Sequence, residues 1–229
     1  MKKLTQKIKG LKKTTKVDFA TYLGVVLAFA AVTLLGRLGL LNRSLTGMLV
    51  PICAYIVMAV SLNLTVGILG ELSLGHAGFM SVGAFSGVIA AQSLQASIPS
   101  APVRLAVAIL VGAVFASAAG FIVGVPVLRL RGDYLAIVTL AFGEIIKELI
   151  NCLLVGYDSR GLHMAFNING SLTISDLGLE PEGIAIIKGA QGATGTTTIA
   201  TFTAGFILIM ITLVIVLNLV RSRSGRAIM

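Results

Sequence analysis

The amino-acid sequence predicts an all-α protein, a polytopic bundle of about six transmembrane helices, and three properties of its composition support this fold class. Hydrophobic residues make up 56% of the 229 residues, charged residues only 12%, and the mean hydropathy is +0.98. A typical soluble domain carries about 25% charged residues, so this chain lacks the polar side chains needed to cover a water-exposed surface. Intrinsic disorder is excluded because it requires low hydrophobicity and high charge. Two cysteines are also too few for a disulfide-stapled secreted module.

Six segments are apolar enough to cross the hydrocarbon core, which takes about 20 residues in a helix. They are residues 19–35, 45–69, 76–91, 103–128, 134–155 and 200–220. The third is short and rich in glycine, whereas the sixth contains the uncharged run FILIMITLVIVLNLV. We therefore expect residues 18–229 to form one transmembrane domain, in which the loop at residues 156–199 is long enough to carry short elements of its own.

The basic residues predict the orientation of these spans. Seven lysines precede Val17, and basic residues next to a span favour the cytoplasmic side. With the N-terminus inside, the inner segments hold twelve basic residues and the outer segments hold five, Lys147 being left out because it lies in a span. We therefore expect six crossings with both ends cytoplasmic, which makes residues 156–199 an outer loop.

Residues 1–17 are predicted to form a basic, interfacial N-terminus on the cytoplasmic side, because Leu4, Ile8 and Leu11 fall on one face of a helix. A nucleic-acid-binding arm is disfavoured, since no aromatic residue is interleaved and an apolar span follows at once. A cleaved signal peptide is the stronger alternative, because residues 28–30 resemble a small-x-small cleavage site. That triplet lies in the middle of the apolar run, so we favour an uncleaved first span.

Small residues recur at four-residue spacing in the third and fourth spans. They are Gly83 and Gly87 in the third span, and Gly112, Ala116, Gly120 and Gly124 in the fourth. Small residues at this interval let helix backbones approach closely in lipid. These rows predict tight helix packing rather than a ligand site.

The stretch GELSLGHAG, residues 70–78, interrupts what would otherwise be one long apolar region. Glycines at positions 67, 70, 75 and 78 favour a broken or re-entrant segment near residues 67–78. A broken helix at membrane depth is tolerated only where it lines a cavity or is buried in protein. The spacing is equally consistent with an ordinary polar turn on the cytoplasmic side, and both interpretations stay open.

The fifth span carries Glu144, Lys147 and Glu148 on one helical face. Ionisable side chains inside membranes are costly and are functional candidates by default. We favour an internally compensated glutamate–lysine pair that faces the bundle interior over a proton relay. A relay strings carboxylates through several helices, and no other predicted span contains one.

Motifs of enzymes and metal sites are absent from the sequence. The two histidines, His76 and His163, are predicted on opposite sides of the membrane, and no metal-ligand spacing, HExxH, GxSxG or phosphate-binding loop occurs. The sequence therefore predicts no catalytic residue, no metal site and no ATP hydrolysis by this chain itself. A nucleic-acid partner is not expected either.

Two stretches resemble a known family of transporters. They are residues 62–79, LNLTVGILGELSLGHAGF, and residues 130–146, LRGDYLAIVTLAFGEII. Together they closely resemble the permease subunits of branched-chain amino acid ABC importers, specifically the LivM-type subunit. The resemblance covers residues 45–155 well, and the remainder by hydropathy.

The resemblance implies a permease of the bacterial inner membrane that pairs with a second, homologous permease of the LivH type. Two cytoplasmic ATPase subunits would bind ATP and drive transport, so no cofactor is expected in this chain. An extracytoplasmic solute-binding protein would deliver leucine, isoleucine or valine.

Two regions depart from the family pattern. A TGG-type stretch that the family places after the fifth span is only partly matched by YDSRGL at residues 157–162. In the family, the basic stretch matching residues 221–226 leads into a cytoplasmic coupling loop and further spans. We therefore expect this sequence to be truncated at its C-terminus.

The broken region supplies candidates for the translocation path, because the ammonium and carboxylate of an amino acid need a lined route through a low-dielectric slab. The candidate residues are Asn63, Glu71, Ser73, His76 and, from the fifth span, Glu144. Arg131 and Asp133 flank the cytoplasmic entry to the fifth span. We expect this pair first to cap and orient the helix, and second to contact the ATPase.

Two alternative functions stay open. The same scaffold could import urea or short amides, because relatives with near-identical motifs carry those solutes. A non-transporting membrane assembly subunit is the second alternative. An intramembrane enzyme is disfavoured, since the sequence offers no constellation of nucleophile, base and metal.

Overall fold

The computed structural model of the chain is mostly helical, as the composition predicts. It describes residues 2–95, 97–127, 129–130, 132–167, 174–180, 183–222 and 225. Its α-helices are α1 (Lys2–Arg37), α2 (Arg43–Asn63), α3 (His76–Ser93), α4 (Ala101–Val127), α5 (Asp133–Asn151) and α6 (Phe202–Arg221). A single π-helical turn, Leu64–Ile68, continues α2.

Three short strands lie between α5 and α6. They are β1 (Leu153–Asp158), β2 (Gly161–Phe166) and β3 (Ile184–Lys188). β1 is the central strand and pairs antiparallel with both neighbours, in the order β2-β1-β3. The sheet is small but well covered: Val155 of β1 and Ile186 and Ile187 of β3 are fully buried.

The predicted fifth span, residues 134–155, extends too far at its C-terminal end. The helix ends at Asn151, and Leu153, Leu154 and Val155 belong to β1 instead. A short apolar run fits a buried strand as well as a helix, and periodicity cannot separate the two. Pairing on both edges and burial against α3 stabilise the strand here.

Four of the helices in the described part of the chain are long and apolar enough to cross a membrane. They are residues Phe19–Arg37, Arg43–Ile68, Ala101–Val127 and Phe202–Arg221. α3, with 18 residues, and α5, with 19 residues of which four are charged, are not among these four. The count of six crossings therefore stays a prediction.

The chain divides into two compact units. The first contains α1, the part of α2 up to Val60, and α6, and its core is formed by Cys53, Ile209 and Leu213. Helices α2 and α6 approach closely because Gly205 has no side chain: a Cβ there would lie 2.8 Å from the Cβ of Cys53. Phe29 of α1 stacks on Phe206 with the ring centroids 4.0 Å apart.

The second unit runs from Ser61 to Ala200 and contains α3, α4, α5 and the sheet. Helices α3 and α4 are in backbone contact, as the predicted small-residue rows require: a Cβ on Gly112 would lie 2.6 Å from the carbonyl oxygen of Gly83. Gly120 and Gly124 take no part in this contact, since no described atom lies within 4 Å of a Cβ placed on either. The predicted packing role of the small residues in α4 is therefore confirmed for the N-terminal part of that row only.

Candidate functional site

The helical break predicted near residues 67–78 is present in the structure. After the π-helical turn Leu64–Ile68 the chain is irregular, and α3 begins at His76. Gly70 adopts a left-handed conformation with φ of 70°, which a side chain would strain. The backbone N–H of Glu71 still donates to the carbonyl oxygen of Thr65 at 3.2 Å, so the chain folds back on its last helical turn.

The side chain of Asn63 lies over Gly67 at the start of the break. A Cβ on Gly67 would contact the amide oxygen of Asn63, so a side chain at this position would displace the amide. Asn63 is itself exposed. Its amide therefore remains open to a solute or to water.

A side-chain contact joins the two ends of the break. The Oγ of Ser61, near the end of α2, and the Nε2 of His76, the first residue of α3, lie 3.0 Å apart at hydrogen-bond distance. Ser61 and His76 are both half-buried. The candidate residue His76 is thus brought into contact with a hydroxyl that lies 15 positions earlier in the chain.

Helix α5 packs directly on the break. The backbone N–H of Leu74 donates to the hydroxyl of Thr139 at 3.0 Å, and a Cβ on Gly75 would lie 2.6 Å from the carbonyl oxygen of Thr139. One turn later, a Cβ on Gly78 would lie 3.0 Å from the Cα of Gly143. The broken segment is therefore packed against α5 at this point, which is the condition that an irregular backbone would have to meet at membrane depth.

Thr139 was missed in the sequence, although a signal was present. It is a polar residue in the apolar half of α5, and it is buried, with 5% of its surface exposed. A lone threonine in a helix commonly bonds its own preceding turn, as Thr139 does to the carbonyl oxygen of Ala136 at 3.0 Å. Its second role, as acceptor for a residue 65 positions away, has no local sequence signal.

The other candidate residues of the break are more open. Glu71 is exposed and Ser73 is half-buried. Within the described part of the chain, neither side chain forms a hydrogen bond. The structure therefore places both at the break but does not bring them into contact with Asn63 or His76.

A cavity of about 360 Å³ opens beside the break, between α3, α5 and the turn at Gly189–Gln191. Leu74, Ala77 and Gly78 line it from the break and the start of α3. Glu144 and Lys147 line it from α5. The candidate residue Glu144 is thus placed next to the broken segment.

The ion pair predicted in α5 is confirmed, but its side chains are not buried. The Nζ of Lys147 lies 2.5 Å from the Oε1 of Glu144 and 4.0 Å from the Oε1 of Glu148. The side chains of Lys147 and Glu144 are 59% and 60% exposed. The pair faces the cavity rather than a packed interior.

Asp133 is the first residue of α5, where a carboxylate interacts favourably with the helix dipole. The preceding Gly132 has a φ of 62°, so the chain enters the helix through a conformation that favours glycine. Arg131, its predicted partner, lies outside the described residues. The predicted capping pair and its contact with an ATPase therefore stay predictions.

A second polar cluster organises the β1–β2 hairpin, and its centre is Asp158, whose side chain is 1% exposed. Oδ1 of Asp158 accepts hydrogen bonds from the N–H groups of Arg160 and Gly161 at 2.8 and 3.2 Å, and lies 3.1 Å from the Nε2 of His163. Burial alone would raise the pKa of the Asp158 carboxyl. Hydrogen bonds from the backbone of Arg160 and Glu180 and the contact with His163 instead hold the pKa below its ordinary value.

Among the described residues, no three His, Cys, Asp or Glu side chains are grouped closely enough to hold a metal ion. The polar groups beside the break are instead an amide, a hydroxyl–imidazole pair and an ion pair at a cavity. Such groups can bind and orient a small polar solute.

Apolar helices of membrane-spanning length are the mark of a multi-pass helical membrane protein, and a broken segment beside a cavity fits the permease class. Residues 44–229 match the family described as the branched-chain amino acid transport system permease component, and the chain belongs to this family. Members of this family are membrane components of transport systems and not enzymes.

Two curated relatives carry the name high-affinity branched-chain amino acid transport system permease protein LivM. The protein from Escherichia coli strain K12 is 41% identical over 100 residues, and the protein from Salmonella typhimurium strain LT2 is 46% identical over 96 residues. Each match spans 42% of this chain and only 21% of the relative. No solved structure matches the chain.

Proposed function

We propose that the chain is the permease subunit of an ABC importer for branched-chain amino acids, and that it forms part of the solute path through a bacterial inner membrane. Membership of the permease family supports the class, and the names of the two LivM relatives support the solute.

The observation that carries the proposal is the broken segment between Ile68 and His76, held against α5 within the family-matched region. Backbone groups released from a helix find no partners in lipid, so such a segment must be buried or must line a watery cavity. This segment does both: Leu74 is bonded to Thr139, and the same residue lines the cavity that contains Glu144.

The solute path in this proposal runs along the polar residues of the break, Asn63, Glu71, Ser73 and His76, and past Glu144 of α5. An amino acid carries two charges, and crossing the membrane core without polar partners is prohibitive. Exposed polar groups at the break and at the cavity offer such partners in succession.

The proposed partners are a second permease subunit of the LivH type, two ATPase subunits that bind ATP, and an extracytoplasmic solute-binding protein. This chain then needs no cofactor of its own. Arg131 and Asp133, at the start of α5, are the proposed contact with an ATPase. The excess of basic residues in the inner segments supports a cytoplasmic N-terminus, which puts the sheet on the outer side.

Uptake by the complete transporter reconstituted in lipid vesicles tests this proposal. Labelled leucine should accumulate inside the vesicles when ATP and the solute-binding protein are supplied, and labelled urea should not. Uptake of urea with no uptake of leucine would overturn the proposed solute. Assembly without uptake of either solute would favour a non-transporting membrane subunit.

A further inference from the structure

We propose that the cavity between α3, α5 and the turn at Gly189–Gln191 binds the charged head of an aliphatic α-amino acid, with Glu144 contacting its ammonium group and Lys147 contacting its carboxylate. This inference deepens the proposed function and rests on it for the identity of the solute. Lys147 has no role in the path proposed above.

The two charges are arranged to meet a zwitterion. Glu144 and Lys147 are three residues apart, so they project from the same face of α5, and both line the cavity. With more than half of each side chain exposed, a solute in the cavity can reach both. Glu148, the third charged residue of this face, does not line the cavity.

The present ion pair is easily exchanged for contacts to a solute. An exposed pair within one helical turn contributes little to stability, because water screens it and two flexible side chains must be ordered. A zwitterion that inserts between the two groups replaces one ion pair by two. No uncompensated charge is left in the site, and an unpaired charge is what makes the loss of one partner of an ion pair costly.

The remaining wall is suited to an aliphatic side chain. Leu74, Ala77, Phe85, Leu140 and Ile150 contribute apolar surface to the cavity. Its volume of about 360 Å³ lies at the lower end of the range for small-molecule sites. A compact aliphatic amino acid fits this combination of one charged edge and an apolar wall.

The arrangement also separates an amino acid from a neutral amide. Urea carries no charge, so it cannot compensate Glu144 and Lys147 once their mutual contact is broken. An analogue of leucine that carries only one of its two charges leaves either Glu144 or Lys147 without a charged partner. The site therefore predicts discrimination by charge as well as by shape.

Direct binding to the purified transporter, without its solute-binding protein, tests the site. Leucine should bind about tenfold or more tightly than either 3-methylbutylamine, which lacks the carboxylate, or 4-methylpentanoate, which lacks the ammonium. In Lys147→Met, leucine should bind no more tightly than 3-methylbutylamine, and in Glu144→Gln it should bind no more tightly than 4-methylpentanoate. Lys147→Arg keeps the positive charge, so leucine should still bind more tightly than 3-methylbutylamine.

Glu148→Gln is the matched control, because it removes a carboxylate from the same helical face outside the cavity, and it should leave both advantages unchanged. Equal binding of leucine and its two analogues by the unaltered protein would overturn the site, as would the absence of leucine binding. Leucine uptake by the complete transporter would then still support the proposed function. Conversely, charge discrimination in a transporter that takes up no leucine would support the site and overturn the proposed function.

Discussion

The backbone N–H of Leu74 and the side-chain hydroxyl of Thr139 are joined by a hydrogen bond of 3.0 Å that fixes the broken segment to α5. The same hydroxyl donates to the carbonyl oxygen of Ala136, so it acts as donor and acceptor at once. Thr139 is buried, and water cannot replace it at this position. The bond therefore determines where the irregular chain runs.

Thr139→Val should destabilise the chain by about 1–3 kcal/mol, because a valine of the same shape leaves the N–H of Leu74 without its acceptor. Thermal unfolding in detergent measures the loss, and amide hydrogen exchange at Leu74 localises it. Thr139→Ser keeps the hydroxyl and should protect the Leu74 amide nearly as well. Equal exchange rates in all three proteins would show that this bond does not hold the segment.

Two glycines of α4 should respond oppositely to alanine. Gly112→Ala places a methyl group 2.6 Å from the Gly83 carbonyl oxygen, and the resulting separation of α3 and α4 should cost about 1–3 kcal/mol. Gly120→Ala meets no described atom and should stabilise the helix by about 0.5–1 kcal/mol. The free energy of unfolding of both variants, measured in the same detergent, tests this contrast. If both alanines stabilised the protein equally, helix propensity alone would explain the result and the close contact at Gly112 would not.

Glu71→Ala should lower the transport rate well below that of Ser97→Ala. Glu71 is an exposed carboxylate at the break, whereas Ser97 lies in the connection between α3 and α4. The comparison requires the complete transporter with both variants at matched expression. Equal rates would remove Glu71 from the proposed path.

The hairpin around Asp158 should lose stability in acid. A folded-state pKa below the ordinary value means that the carboxylate stabilises the fold fully above its unfolded-state pKa of about 4, and that this contribution is lost as the pH falls through the lower folded-state pKa. Asp158→Asn should lower the melting temperature at neutral pH and flatten its decline below about pH 4.

Melting curves between neutral pH and about pH 3 compare the acid-dependent decline of the unaltered protein with that of Asp158→Asn. An identical pH profile for the unaltered protein and Asp158→Asn would contradict the stabilising role of the buried carboxylate.

Long apolar runs made much of the fold predictable. The predicted spans at residues 45–69, 103–128 and 200–220 agree with the helices to within two residues, since lipid requires every backbone group of a span to bond within its own segment. The break was also predictable, because glycine at a left-handed position such as Gly70 ends a helix. The Glu144–Lys147 pair followed from helical spacing.

The remaining features depend on contacts between distant parts of the chain. The first three residues of β1 were included in the fifth span because this short apolar run has neither a helical nor a strand period, and only pairing with β2 and β3 selects the strand. The role of Thr139 depends on Leu74, and the cavity on the placement of Gly189–Gln191 beside α5. Residue types and spacing along a single helix do not contain this information.

The central strand of the small sheet has a mechanical consequence. α5 passes into β1 through Cys152 alone, and the buried residues Val155, Ile186 and Ile187 pack on Phe85 and neighbouring side chains of α3. The two helices that line the cavity beside the break, α3 and α5, are thus both connected to the same small sheet. We therefore expect a displacement of this sheet to move α3 and α5 together, so that the opening of the cavity depends on the sheet rather than on each helix separately.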